Sequence, residues 1–203
     1  MSTITINGVY GSQSREVGRL TAEILGYEFV ERHLLADIAE KLNISESEAE
    51  IFGKTASSRF LRYLDRYTCS IVKKVVDQEY GCLDDKKYYQ VTRELVENLH
   101  QEGRVVILGW GSQCILADKP DVFHVRIKCP EADRIKNVMR EGGLTAAKAE
   151  KILKKEDHDE VAYLKHYFNE DVNDARLYDL VIDTGKTDPP VAAQRICDAF
   201  GNR

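Results

Sequence analysis

Residues 4 to 25 read ITINGVYGSQSREVGRLTAEIL, in which a short β-type run meets a glycine-containing turn and then a helix-type pattern. A strand, a turn and a helix in that order bring several backbone N–H groups and the positive end of a helix dipole to one point. That combination suits a bound anion such as phosphate. The stretch therefore predicts an α/β fold whose first turn is an anion-binding element.

The turn departs from the standard phosphate loop, G-x-x-x-x-G-K-[ST]. The glycines present are Gly8 and Gly11, and the positions of the second Gly, the Lys and the Ser/Thr hold Gln13, Ser14 and Arg15. If Gln13 needs a positive φ, its side chain strains the backbone by about 1 kcal/mol. Arg15 could supply the missing charge, because a guanidinium binds phosphate oxygens through two N–H groups. Ser12 or Ser14 could offer a hydroxyl to phosphate or Mg²⁺, or act only as a helix N-cap.

Short β-type runs recur between longer helix-type segments, at residues 3–6, 27–30, 104–109, 122–127 and 178–183. Strands separated by helical crossovers form a parallel sheet with helices on both faces. In the intervening segments, apolar residues recur every three or four positions, as in helices that face a core. The sequence therefore predicts a three-layer α/β fold with a five-stranded parallel sheet.

Two helical regions exceed what a crossover between parallel strands needs. The first covers roughly residues 31–102. Because a crossover takes only a dozen or so residues, part of this region should stand off the sheet as an insertion that binds something. The second covers roughly residues 143–172, after a break at Glu141 to Gly143, and contains the charged run EKILKKEDHDE. It fits either a solvated helix or a mobile lid over phosphates.

Composition limits the classes of function. A chain of 203 residues with 43% hydrophobic residues can bury one substantial core, so we expect a single domain over residues 1–203. The net charge of -5 gives no general attraction for nucleic acid or an anionic membrane, and a small anionic ligand fits better. The five cysteines form no C-x-x-C motif, and no apolar run approaches the roughly 20 residues that span a bilayer. We expect a cytoplasmic protein with reduced thiols.

Four segments in the same order resemble the cytidylate kinase-like proteins, which are P-loop relatives of bacterial cytidylate kinase. They are ITINGVYGSQSREVGRLTAEILGYEFVERHLL from residue 4, VVILGWGSQCIL from 105, FHVRIKCPEADRIKNVMREGGLTAAKAEKILKKEDHDEVAYLKHYF from 123, and YDLVIDTGKTDPPVAAQRI from 178. The resemblance implies a P-loop kinase fold that uses ATP and Mg²⁺. It also implies phosphoryl transfer to a nucleoside monophosphate, CMP or a related pyrimidine monophosphate. The insertion would hold the acceptor, and the second helical region would close as a lid.

The resemblance also implies roles for individual residues. The ATP-binding candidates are Gly8, Gly11, Ser12, Gln13, Ser14 and Arg15, and the catalytic candidates are Arg15, Arg134, Arg140 and Asp157. The acceptor-binding candidates are Glu31, Arg32, Arg59 and Asp183, and no protein-held metal site is implied. Alternatives stay open for several of them: surface charges for Arg134 and Arg140, a helix N-terminus for Glu31, an exposed face for Arg59 with Arg62 and Arg66, and a turn cap for Asp183 with Thr184.

Several positions differ from the pattern of these relatives, whose lids tend to show D-x-x-R and whose third strand ends in G-R-G or G-R-D. This chain has Trp110 in place of that strand-end arginine, Gln13 in the loop, and His158 and Glu160 in the lid. A carboxylate facing the transferred phosphoryl group would repel it. Two alternatives are therefore open. The protein could be a catalytically impaired nucleotide-binding or regulatory relative, or it could be a kinase for another small acceptor. Helices bearing Tyr63, Tyr67, Tyr88 and Tyr89 could form a homodimer interface.

Overall fold

The computed structural model describes residues 2–31 and 85–202. The elements in this part of the chain are β1 (Thr3–Gly8), α1 (Ser14–Leu25), β2 (Glu28–Glu31), α2 (Asp85–Glu102), β3 (Val105–Leu108), α3 (Ser112–Ile115), β4 (Val122–Lys128), α4 (Glu131–Gly142), α5 (Ala146–Phe168), a 3₁₀ turn (Ala175–Leu177), β5 (Leu180–Asp183) and α6 (Pro189–Gly201). The five predicted strands are all observed, with ends that differ from the predicted ones by at most two residues.

The sheet has the strand order β2-β3-β1-β4-β5, and every neighbouring pair is parallel. From the central strand β1 the chain runs to the edge strand β2, returns to β3 beside β1, and then crosses to β4 and β5 on the other side, so the strand order reverses beside β1. In open parallel sheets, ligands bind outside the carboxyl ends of the strands at such a reversal. The loop after β1 therefore lies where the topology favours a ligand.

Side-chain alternation along the strands explains why both faces of the sheet are covered. On β3, Val105 and Ile107 pack in a cluster with Leu95, Val96 and Leu99 of α2. Val106 points the other way, into a second cluster formed with α1, β4 and α6. These two buried clusters confirm the predicted three-layer α/β class.

The predicted break near residue 143 is confirmed. Helix α4 ends at Gly142, and Gly143 has a φ of 60°, which suits glycine as a helix C-cap. Thr145 precedes α5, although its side chain makes no capping hydrogen bond. Val138 of α4 packs on Ala149 and Leu153 of α5, so the two helices share a small core of their own.

Part of the predicted insertion lies outside the described residues. Among the residues proposed from the sequence, this applies to Arg32, Arg59, Arg62, Arg66, Tyr63 and Tyr67 and to the side chain of Tyr88. Their roles, the insertion as a whole and the domain boundaries remain predictions. Within the described residues, none of the helices is both long enough and apolar enough to cross a membrane.

Candidate functional site at the loop after the first strand

A cavity of about 920 Å³ opens at the carboxyl edge of the sheet, a volume near the upper end of what small-molecule sites usually have. One wall is the β1–α1 loop (Val9–Gln13) with the first turn of α1, and another is the stretch from Leu108 to Gly111 after β3. The end of β2 contributes Glu31, and α5 contributes side chains between Lys155 and Leu164. The predicted phosphate turn and the predicted lid thus face one cavity.

The β1–α1 loop has the backbone conformation that its glycines permit. Gly11 has a φ of 77°, and a Cβ added there would lie 3.1 Å from the Cβ of Arg134. At Gly8, an added Cβ would lie 2.2 Å from the Cβ of Ser14, which no rearrangement of a side-chain tip could relieve. Gln13 is the N-cap of α1 with φ 59° and ψ 20°. The conditional prediction for Gln13 therefore holds, and the strain of a left-handed non-glycine residue is present.

Backbone N–H groups around this loop are available for an anion. Ser12 N–H donates to Val9 O at 3.0 Å, whereas the N–H groups of Gly11 and Gln13 meet no acceptor within residues 2–31 and 85–202. The first N–H groups of α1 also lack partners inside the helix, as at any helix N-terminus. Together with the dipole of α1, these groups give the loop a positive potential that suits an anion.

The carbonyl oxygens of the same loop are held by side chains from other elements. Tyr10 O accepts a hydrogen bond from Arg134 Nη1 at 3.3 Å, Gly11 O accepts one from Asn137 Nδ2 at 2.9 Å, and Ser12 O accepts one from Thr184 Oγ1 at 2.9 Å. Asn137 lies on α4, and Thr184 directly follows β5. Asn137 was not among the residues singled out from the sequence, and Thr184 was considered, with Asp183, only as a ligand contact or a turn cap, because the contacts made here depend on the tertiary structure.

Arg15 and Glu31, predicted as an ATP residue and an acceptor residue, form an ion pair. Arg15 Nε lies 2.6 Å from Glu31 Oε1, and the side chain of Glu31 is 6% exposed whereas that of Arg15 is 68% exposed. The guanidinium thus neutralises a buried carboxylate at the end of β2. Because arginine has five N–H donors, this pairing through Nε leaves Arg15 able to bind a further anion.

Two carboxylates of α5 pair with buried arginines. Asp157 accepts two hydrogen bonds from Arg134, at 2.7 and 2.8 Å. Glu160, one turn later, lies 2.6 Å from Arg126 Nη1 on β4, and the Arg126 side chain is only 2% exposed. The sequence suggested that Glu160 would repel phosphate, but this partner neutralises much of its charge. Arg126 was missed, although a lone arginine in the apolar run VFHVRI was a usable signal.

Near the site the pKa values of Arg134, Tyr178 and Cys114 are raised, which favours the charged guanidinium and the protonated phenol and thiol. The hydrogen bonds from Arg134 to Asp157 raise the pKa of the guanidinium. Burial raises the pKa of Tyr178, whose ring lies 6.0 Å from Arg126. Burial also raises the pKa of the Cys114 thiol to about 12, and Cys129 and Cys197 shift in the same direction. These three cysteines are free thiols, unsuited to act as nucleophiles at neutral pH.

Other candidate residues lie away from the cavity wall. Arg140 is exposed and donates to Asn137 Oδ1 at 3.3 Å. Asp183 accepts from the N–H of Gly185 at 2.9 Å, which matches the turn-capping alternative. Ser12 is fully buried, and its hydroxyl has no partner among the described residues. Trp110, by contrast, is on the cavity wall, although the residue is only 5% exposed and packs in the core beside α2.

Comparisons with known proteins agree with this architecture. The model of the cytidylate kinase-like family matches residues 3–186. The cytidylate kinase of Pyrococcus furiosus is 27% identical over 187 residues, covering 92% of this chain and 81% of that protein. An uncharacterized protein from Eubacterium ventriosum has a TM-score of 0.68 at 21% identity, covering 100% of this chain and 99% of that one. A shikimate kinase from Acinetobacter baumannii, in complex with shikimate, has a TM-score of 0.52 at 16% identity, covering 100% and 94%. The two solved structures establish a likeness of fold, that of P-loop kinases.

Proposed function

Because this chain belongs to the cytidylate kinase-like family, we propose that it transfers a phosphoryl group from ATP to a nucleoside monophosphate, with CMP or a related pyrimidine monophosphate as the acceptor. The observation that carries this proposal is the β1–α1 loop on the wall of a large cavity at the carboxyl edge of the sheet, where its glycines lie beside N–H groups that have no acceptor in the part of the chain that the structure describes. A kinase needs such a cradle for polyphosphate.

The loop and its neighbours fit the phosphates of ATP. Gly8 and Gly11 leave no room for a side chain, so the backbone itself forms the wall of the cradle. Arg15 supplies a positive charge beside it in place of lysine. Mg²⁺ would be held mainly by phosphate oxygens, with Ser14 as a candidate hydroxyl ligand. Within the described residues, no group of three or more His, Cys, Asp or Glu side chains is arranged to hold a metal ion.

The chemistry requires positioning and positive charge more than a covalent group on the protein. In phosphoryl transfer the negative charge spreads over the equatorial oxygens of the moving group, and fixed donors stabilise it. In this proposal Arg15 and the loop amides act on the donor phosphates, and Glu31 and Asp183 with Arg32 and Arg59 serve the acceptor. Arg134 and Asp157 hold α5 over the cavity, and Arg140 lies at the end of the same helix as Arg134.

A second candidate is a relative that binds nucleotide but transfers no phosphoryl group. It is favoured by the face that α5 turns to the cavity, which carries Glu156, Asp159 and Glu160 beside Lys155. A lid with these side chains offers little positive charge to a transferred phosphoryl group. A kinase for another small acceptor is a third candidate, since a different acceptor could match this charge.

The decisive experiment incubates the purified protein with ATP, Mg²⁺ and each nucleoside monophosphate in turn, and follows product formation by ³¹P NMR. We expect ADP and CDP from ATP and CMP. Arg15→Ala should abolish their formation, and Arg15→Lys should retain part of it because the charge remains. Nucleotide binding without turnover for any monophosphate would favour the second candidate. Turnover only with an acceptor that is not a nucleotide would favour the third.

A further inference from the structure

The carbonyl groups of Tyr10, Gly11 and Ser12 are each held by a side chain from outside the loop, and these contacts fix the direction of the loop amides. A peptide unit is planar and trans, so the C=O of one residue and the N–H of the next point in opposite directions. Gly11 O faces Asn137 and Ser12 O faces Thr184. The N–H of Gln13 therefore points away from Thr184, and the N–H of Gly11 points away from Arg134, which holds Tyr10 O.

The same contacts hold the strained residue. The peptide before the Cα of Gln13 is fixed by the hydrogen bond from Thr184 to Ser12 O. The peptide after it is fixed because Gln13 O accepts the N–H of Val17 at 3.1 Å. With both neighbouring peptides held, the φ of 59° at Gln13 persists although the residue is not glycine.

Helix α4 packs directly against the loop, so the loop has little room to move away from the side chains of α4. A Cβ added to Gly11 would lie 3.0 Å from Val138 Cγ2 and 3.1 Å from Arg134 O. Thr184 has a single hydroxyl hydrogen, which it shares between Ser12 O at 2.9 Å and Lys128 O at 3.1 Å. The hydroxyl thus joins the β1–α1 loop to the ends of β4 and β5. Arg134 adds a link to α5, because the same Nη1 that contacts Tyr10 O also contacts Asp157.

We propose that Asn137 and Thr184 are positioning residues for the amides that face the polyphosphate of ATP. Thr184 turns the N–H of Gln13 toward it through Ser12 O, and Asn137 fixes the Gly11–Ser12 peptide, which sets the backbone between the amides of Gly11 and Gln13. The two side chains act through the loop carbonyls and do not touch the nucleotide. The inference rests on the proposed function only in taking ATP as the ligand, and it does not depend on the acceptor or on transfer. These side chains hold Gln13 in the left-handed conformation that a glycine at this position would adopt without strain.

The test compares variants that remove one anchor each with variants that keep it. Thr184→Val removes the hydroxyl at nearly constant shape, and Thr184→Ser keeps it. Asn137→Leu removes the amide donor. The matched control is Thr21→Val, because Thr21 is a buried threonine whose hydroxyl donates to Val17 O at 2.8 Å, two turns away from the loop. Each protein is titrated calorimetrically with ATP and Mg²⁺ and, separately, with tripolyphosphate, and its thermal melting is recorded.

We expect Thr184→Val and Asn137→Leu each to weaken binding of both ligands about tenfold, as for the loss of one hydrogen bond that fixes the conformation of the binding loop. Thr184→Ser should restore affinity, and Thr21→Val should bind as the wild type does. In steady-state assays the KM for ATP should rise while the KM for CMP stays unchanged. A merely structural role would lower the melting temperature of Thr184→Val and Thr21→Val alike without this selective loss.

Wild-type affinity in Thr184→Val and Asn137→Leu would overturn the inference, whatever the turnover. If Thr184→Val does not fold, Asn137→Leu alone decides the matter by the same criterion. If the wild type binds ATP, the two variants bind it more weakly, and no CDP forms, the proposed transfer is overturned and this inference stands. A wild-type protein that binds neither ATP nor tripolyphosphate would overturn both.

Discussion

Gln13 carries backbone strain at the point where the chain enters α1. Its φ of 59° places it in the left-handed region, where a side chain costs about 1–2 kcal/mol. We expect Gln13→Gly to raise the free energy of unfolding by about 1 kcal/mol, a gain reduced by the greater freedom of glycine in the unfolded chain. Urea unfolding measures the change. Gln13→Ala keeps the Cβ and should give no such gain, and equal effects of the two substitutions would contradict the explanation by strain.

At the residue scale, the sequence was sufficient where the role of a residue depends on its neighbours in the chain. The strain at Gln13 followed from its place in the loop pattern. The sequence was insufficient for Trp110, Asn137 and Thr184, whose roles depend on which distant element each one meets. Trp110 occupies the position of an arginine in the family pattern, and its side chain packs in the core beside α2.

At the element scale, α5 is held against the sheet and α4 by two ion pairs of unequal burial. Arg126 is 2% exposed and Glu160 is 20% exposed, whereas Asp157 is 39% exposed. Removing one partner of a buried pair leaves an uncompensated charge, so Glu160→Gln should lower the free energy of unfolding by about 3–5 kcal/mol. Asp157→Asn should cost less, about 1 kcal/mol, because water reaches that pair. Urea unfolding at pH 7 checks both values.

The double variant Arg126→Met with Glu160→Leu is the control for this pair. Replacing both partners of a buried ion pair by apolar residues is often neutral or stabilising, so most of the loss in Glu160→Gln should be recovered. A double variant as unstable as Glu160→Gln would show that the cost comes from packing and not from the unpaired guanidinium. The charged run in α5 allowed both a solvated helix and a lid, and only the three-dimensional contacts identify Asp157 and Glu160 as the side chains that dock it.

At the scale of the whole molecule, the sheet was predictable because each strand is a short apolar run with helix-type spacing on either side. The strand order was not, since apolar periodicity does not say which strands are neighbours. Placing β1 at the centre puts the β1–α1 loop beside β3 and β4, and that neighbourhood brings Thr184 and α4 to the loop. The site is therefore a product of topology as much as of the loop sequence.

The stability of the whole fold should depend on pH through His100, near the end of α2. Its Nδ1 lies 3.1 Å from Thr3 Oγ1 of β1, and its Nε2 lies 3.5 Å from Asp121, just before β4. Burial lowers the pKa of His100, and this effect outweighs the attraction of Asp121. The unfolded chain then binds more protons than the folded protein once the pH falls below the unfolded value of about 6.5. The free energy of unfolding should therefore be highest above that pH, where His100 is neutral in both states, and should decrease as the pH falls from 7.5 to 5.5.

Urea unfolding at several pH values across that range, for the wild type and two variants, tests this dependence. His100→Gln cannot be protonated, so its unfolding free energy should vary less with pH than that of the wild type, even if it is lower at pH 7.5 because of altered contacts to Thr3. His158→Gln is the matched control, since the side chain of His158 is 81% exposed. A wild-type slope that persists in His100→Gln, or disappears in His158→Gln, would assign the pH dependence to another group.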